Sequence, residues 1–139
     1  MSLEKQEDTA KTVLIIEDEE SLRLAVCKVL KRRGFRVLEA ADGRAGVDLF
    51  QAHAAAIDVV LLDLTLPRLS GREVLSEMRR IRPNVRVVLT TAYSENSWRS
   101  QGEPPFWGFI RKPYQVNELV DLLREACGEE GELRDQRLL

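Results

Sequence analysis

The stretch Val59-Val60-Leu61-Leu62-Asp63-Leu64-Thr65-Leu66-Pro67 decides the fold. Its first four residues are an unbroken apolar run with a β-branched start, which reads as a strand covered on both faces. Yet the run ends on a carboxylate, Asp63, and the chain then breaks at Pro67. A charge carried at the end of a core strand needs a reason, and the rest of the chain supplies one.

Outward from this strand, strands and helices alternate. Thr12 to Ile16 (TVLII) is a first buried strand. After Glu17-Asp18-Glu19-Glu20-Ser21, the apolar residues Leu22, Ala25, Val26, Val29 and Leu30 recur at helical spacing. Gly34 ends that helix, Arg36 to Ala40 is a second strand, and Asp42-Gly43 turns into a helix bearing Leu49 and Phe50. Ile57 to Leu62 is the third strand. Ser70 with Glu73 three residues on is a capping box for a helix carrying Val74, Leu75, Met78 and Ile81, stopped by Pro83-Asn84. Arg86 to Thr90 is a fourth strand, Phe109-Ile110 a short fifth, and Val116, Leu119, Val120, Leu123 and Cys127 line a final helix. Five βα units predict a doubly wound α/β domain over residues 12–127, with an N-terminal extension, 1–11, and a charged tail, 128–139. The least regular interval lies between Thr91 and Lys112, where serines, glycines and Pro104-Pro105 leave room for about two helical turns.

Composition narrows the function. The 139 residues are 44% hydrophobic and 32% charged, which suits one compact domain with a modest core. A net charge of −2 and a pI near 5.6 argue against direct nucleic-acid binding or an anionic-membrane surface. No apolar run approaches the roughly 20 residues of a membrane span, and the N-terminus lacks a signal-peptide hydrophobic region, so a cytoplasmic setting without membrane contact is expected. Cys27 and Cys127 have no CxxC spacing and only His53 for company, so they read as small core hydrophobes, with His53 on the surface near a helix end.

In sheets of this type ligands sit beyond the carboxyl ends of the strands, where strand order reverses. Strand one ends in Glu17-Asp18, strand three in Asp63, strand four in Thr90-Thr91, and strand five leads to Lys112-Pro113. Three carboxylates, a hydroxyl and an ammonium are thereby aimed at one edge.

This arrangement resembles the receiver domain of two-component response regulators, over roughly Thr12 to Ala126. The motifs that carry the resemblance are the acidic pair Glu17-Asp18, Asp63 followed by Pro67 and Ser70-Gly71, Thr91-Ala92, and Lys112-Pro113. The resemblance implies a flavodoxin-like (βα)5 domain with a parallel five-stranded sheet in order 2-1-3-4-5. It implies that Asp63 accepts a phosphoryl group from the phosphohistidine of a histidine kinase or histidine phosphotransfer domain. Glu17 and Asp18 would hold the metal together with Asp63 and the Thr65 backbone carbonyl, Glu17 through water, while Thr91 and Lys112 contact the phosphoryl oxygens. The expected ion is Mg²⁺, with Mn²⁺ as the alternative, because a hard divalent cation is satisfied by a few carboxylates, a carbonyl, water and phosphate oxygen. The peptide before Pro113 is a candidate cis bond. Phe109 matches the family's aromatic switch position with Thr91, although a core-packing phenylalanine would look identical. It is expected to be largely buried. The sequence around Lys112-Pro113-Tyr114, with its irregular preceding segment, is similar to receivers of hybrid sensor histidine kinases, which leaves a stand-alone receiver and a hybrid-kinase segment both open. A monomer is expected, acting as a signalling phosphoacceptor rather than an enzyme on external substrates.

Three other readings compete. A pseudo-receiver would bind partners without ever being phosphorylated. An aspartyl-nucleophile phosphohydrolase of the haloacid dehalogenase type needs a second Asp two residues after the first, where this chain has Thr65. A nucleotide-binding module would want GxGxxG or GxxxxGK[ST] after a strand, and neither occurs.

Overall fold

The computed structural model of the chain describes residues 10–66, 69–92 and 106–128. Pro67, the expected short helix before strand five, and most of the N-terminal extension and the charged tail lie outside the described residues. Five strands form one parallel sheet in the order β2-β1-β3-β4-β5: β1 Thr12–Ile16, β2 Arg36–Ala40, β3 Val59–Asp63, β4 Val87–Thr91 and β5 Gly108–Arg111. The helices among the described residues are α1 Glu20–Arg32, α2 Gly43–His53, α3 Gly71–Ile81 and α4 Val116–Gly128. The expected fold class and strand order therefore hold. The chain leaves β1 toward β2 on one side and returns to β3 on the other, so the reversal of strand order falls between β1 and β3.

Strand parity divides the core into two layers. Leu14, Ile16, Val60, Leu62, Val87 and Leu89 face α2 and α3, whereas Val13, Ile15, Val59, Leu61 and Val88 face α1 and α4. All five residues of β1, β3 and β4 are buried, as runs without alternation require when both faces are covered. Phe106 and Trp107 extend this division just before β5. Phe106 enters the α2/α3 layer at 2% exposure, and Trp107 enters the α1/α4 layer at 0%. Both fall in the stretch that reads as irregular from sequence, and they anchor the edge strand.

Local chemistry explains the element ends. The capping box forms as expected: Ser70 Oγ accepts from the Glu73 N–H at 3.2 Å, and the Ser70 N–H donates to Glu73 Oε1 at 3.0 Å. Asp42 caps α2 by accepting from the Ala45 N–H at 2.8 Å. Gly34 takes a positive φ of 95° after α1, a conformation open to glycine at little cost. Strand β3 begins at Val59, two residues later than the expected start at Ile57, because Asp58 accepts the Thr12 N–H at 2.8 Å and turns the chain into the sheet there. Cys27 is buried and Cys127 partly buried, both free, and His53 is the exposed last residue of α2. No helix of the described residues is long and apolar enough to cross a membrane.

Candidate functional site

At the carboxyl edge of the sheet, parity places the charged residues together. Glu17 continues the alternation of Val13 and Ile15, Asp63 that of Val59 and Leu61, and Lys112 that of Ile110, so all three belong to the α1/α4 side. The Lys112 ammonium lies 3.0 Å from Asp63 Oδ2 and 2.9 Å from Glu17 Oε1. The Lys112 N–H donates to the Thr91 carbonyl at 2.9 Å, and the cis Lys112–Pro113 peptide follows.

Asp63 is held from both sides. Its Oδ1 accepts the Thr65 N–H at 3.0 Å and the Thr65 hydroxyl at 3.1 Å. This is an Asx turn, so one residue both turns the chain and joins the charged cluster. The loop after it is anchored by Leu64 N–H on the Thr90 carbonyl at 2.9 Å and by Gly71 N–H on the Leu64 carbonyl at 3.3 Å. Gly71 cannot carry a side chain here: a Cβ would stand 2.6 Å from Leu64 Cα and 3.0 Å from the Asp63 carbonyl oxygen. Glu17 is fixed by its Oε2 accepting the Glu19 N–H at 3.0 Å and by Arg23 Nη1 donating to its carbonyl at 3.0 Å.

Asp63 and Glu17 are 1% and 4% exposed, while Asp18 stands in solvent. Burial pushes the Glu17 carboxyl above its ordinary value; the Asp63 charge adds to this, and the Lys112 and Glu19 hydrogen bonds oppose it. Burial pulls the Lys112 ammonium the other way, but its hydrogen bonds to Glu17 and Asp63 outweigh that and leave its pKa raised. The Tyr114 phenol beside them is pushed up to about 12 by burial and by the Glu17 charge, so it stays neutral.

One carboxylate oxygen from each of Glu17, Asp18 and Asp63 lies within 4.8 Å of the other two. Three hard oxygen donors, two fixed by hydrogen bonds and one open to water, fit a small divalent cation that keeps part of its hydration shell. One ammonium among three carboxylates leaves a surplus of negative charge for such an ion to offset.

The structure thus brings Glu17, Asp18, Asp63 and Lys112 together. Thr91 ends the neighbouring strand, 1% exposed, but its parity is that of Val87 and Leu89, which turns it to the α2/α3 side. Phe109 pairs with Leu89 and packs on that same side, its ring 6.4 Å from that of Phe106. It is partly buried, less covered than expected, because β5 is an edge strand and Phe106 takes the deeper position. Thr65, expected to supply a carbonyl, also holds Asp63 through its N–H and hydroxyl. That role was open to detection from the Asp-x-Thr spacing, whereas the proximity of Tyr114 depends on the fold.

The family model of the response regulator receiver domain matches residues 13–124 of the chain. Among curated proteins, the chain is 29% identical over 115 residues to the sensor kinase CckA of Brucella abortus, covering 82% of this chain and 12% of that protein. It is 29% identical over 114 residues to sporulation initiation phosphotransferase F of Bacillus subtilis, covering 81% and 90%. To the sensory transduction protein RegX3 of Mycobacterium tuberculosis it is 35% identical over 122 residues, covering 87% and 52%. The chain therefore spans a small part of the first relative, most of the second and about half of the third. Among solved structures, a response regulator receiver domain protein from Clostridium thermocellum superposes with a TM-score of 0.76 at 26% identity, covering 93% of this chain and 99% of that one. The receiver domain of the hybrid histidine kinase CckA gives 0.71 at 25%, covering 84% and 98%. With the sheet order, the acidic edge and the match over residues 13–124 in agreement, the chain belongs to the response regulator receiver domain family of two-component systems.

Proposed function

We propose that Asp63 of this receiver domain takes a phosphoryl group from a phosphohistidine, on a histidine kinase or a histidine phosphotransfer domain, and that the acyl phosphate alters the surface of the domain. One observation carries the reading: a nearly fully buried carboxylate at the end of the central strand lies against Lys112 at 3.0 Å and within 4.8 Å of two further carboxylates. A carboxylate so placed is a nucleophile in need of charge compensation, and the site supplies it.

In the transfer an Asp63 oxygen attacks phosphorus in line. The new O–P bond forms as the N–P bond breaks, and that electron pair leaves on the imidazole, which departs neutral because its other nitrogen keeps a proton. Lys112 offers a fixed positive charge to the transferring oxygens. Thr65 holds Oδ1 and so orients the carboxylate, and the strand beneath limits its motion. Glu17, Asp18, Asp63 and the Thr65 carbonyl would hold Mg²⁺, or Mn²⁺ in its place, which when bound offsets the charge between carboxylate and phosphoryl group. Thr91 offers a hydroxyl at the same edge. Because Thr91 and Phe109 share the α2/α3 side, they are the pair through which phosphorylation would be read out.

Leu24, 48% exposed on α1, and a cavity of about 370 Å³ bordered by Leu22, Pro113 and Tyr114 favour docking of the phosphodonor beside Asp63. The unit that performs this is residues 12–127, acting as a monomer in the cytoplasm, alone or within a hybrid kinase. Its chemistry is its own phosphorylation and dephosphorylation. Incubation with acetyl phosphate and Mg²⁺, followed by intact mass, is the test. A single hydroxylamine-labile phosphate adduct is expected, and an adduct that persists in Asp63→Asn would refute the assignment.

A further inference from the structure

Lys112 follows β5, yet its ammonium rests on Asp63 of β3 and on Glu17 beyond β1, so its stem passes over β4. The β4 residue under that path is Thr90. It pairs in register with Asp63 on one side and Ile110 on the other, and its parity, that of Val88, turns it to the same α1/α4 side. Thr90 is 1% exposed, and its Oγ1 has no hydrogen-bond partner among the described residues. Its carbonyl is engaged by the Leu64 N–H at 2.9 Å, so the missing partner concerns the hydroxyl. A buried hydroxyl without a partner is destabilising and uncommon, and valine would fill the same space without that cost.

We propose that Thr90 is a positioning residue for phosphoryl transfer, its hydroxyl oxygen accepting a hydrogen bond from the Lys112 ammonium as charge moves from Asp63 to the phosphoryl group. The inference rests on Asp63 being the phosphoacceptor. Before transfer, Asp63 and Glu17 engage two of the three Lys112 N–H groups. In the acyl phosphate one Asp63 oxygen bridges to phosphorus and the other is a carbonyl oxygen, so neither keeps the carboxylate charge that held the ammonium. The charge now lies on the phosphoryl oxygens, farther from the sheet. An ammonium that follows it outward leaves its place over the strands unless something fixed on β4 retains it. Thr90 offers a lone pair there, and its hydroxyl hydrogen rotates aside to present it.

The competing account is that Thr90 merely packs its methyl group against the Lys112 stem. Thr90→Val keeps shape and loses the hydroxyl; Thr90→Ser keeps the hydroxyl and loses the methyl. Phosphorylation of the full chain is followed over a range of acetyl phosphate concentrations at saturating Mg²⁺, with melting temperatures taken alongside. We expect Thr90→Val to lower the maximal rate about fivefold, the scale of one hydrogen bond, with little change in the half-saturating concentration, while Thr90→Ser stays within about twofold of the parent. An undiminished rate in a Thr90→Val protein that melts higher would overturn the proposal in favour of packing. Equal slowing in both variants would overturn it too, because the methyl group rather than the hydroxyl would then matter. A parent protein that takes no phosphate at all would instead remove the reading of Asp63, a distinguishable failure.

Discussion

Gly71→Ala sets two effects of opposite sign against each other. Alanine is the better helix former by roughly 0.5–1 kcal/mol in a helix interior, and Gly71 opens α3, where the gain is smaller. Against that, the new Cβ would stand 2.6 Å from Leu64 Cα, 2.9 Å from the Leu64 carbonyl oxygen and 3.0 Å from the Asp63 carbonyl oxygen. All three are backbone atoms of the loop that holds the candidate phosphoacceptor, and none can rotate away. Restoring an ordinary contact requires the start of α3 and this loop to separate by somewhat under about 1 Å, and overpacking of that kind costs about 1–3 kcal/mol, the rigid neighbours placing it in the upper half. The clash wins, for a net loss of about 1.5–2.5 kcal/mol and a fall in Tm of roughly 5–10 °C. The same separation moves Asp63 against Lys112 and Thr65, and a displacement near 1 Å can cost about a hundredfold in rate. Urea denaturation and acetyl phosphate labelling of the same preparation measure both. A variant that melts like the parent and labels at the parental rate would mean that α3 does not pack on the Asp63 loop as described.

Trp107→Ala removes the largest fully buried side chain among the described residues and should cost about 3–5 kcal/mol in urea denaturation, with the surviving folded fraction still able to take phosphate. Asp18→Asn, which relieves repulsion from Glu17 and Asp63 without breaking a Lys112 contact, should raise apo stability by under about 1 kcal/mol while weakening Mg²⁺ binding, read by thermal melts with and without the ion. Burial pushes the Cys27 thiol up to about 11 and the Cys127 thiol up to about 12, against 9.0 for an unperturbed thiol. At pH 8 their native thiolate fractions should therefore be about 100- and 1000-fold below those of the unfolded chain, which alkylation with and without urea would read. Because the folded state keeps these protons longer, this contribution is intact below pH 9 and is lost as pH rises through the raised values.

What could be read from the chain and what could not divides along the range of the signal. The buried strand at Val59 and the Ser70–Glu73 capping box are written in neighbouring residues and are found in place, and the stripe on α1 is buried at Val26 and Leu30, although Ala25 is exposed and Cys27 is buried beside them. The gathering of Glu17, Asp18, Asp63 and Lys112 was legible because a parallel sheet forces strand ends to one edge. Phe106 and Trp107 were missed as core because Pro104-Pro105 and Gly108 around them carry the local signature of a loop. Their burial comes from the Trp107 N–H docking on the Val87 carbonyl at 2.8 Å, a contact across twenty residues of sequence. The depth of Phe109 failed similarly, since only the edge position of β5 and the placement of Phe106 limit it.

Strand β4 then explains how one short segment serves both the chemistry and its readout on the proposed function. Consecutive residues of a strand point to opposite faces. Thr90 turns to the side where Glu17, Asp63 and Lys112 meet, and Thr91 to the side where Phe109 packs. The backbone between them is tied at both flanks, through the Thr90 carbonyl to Leu64 of the Asp63 loop and through the Thr91 carbonyl to Lys112. On the proposed function, a phosphoryl group on Asp63 would draw on this strand end, and a shift on one face would carry the other with it. On that proposal the sheet would pass a change of charge on the α1/α4 side to a change of packing on the α2/α3 side through the two faces of one strand end.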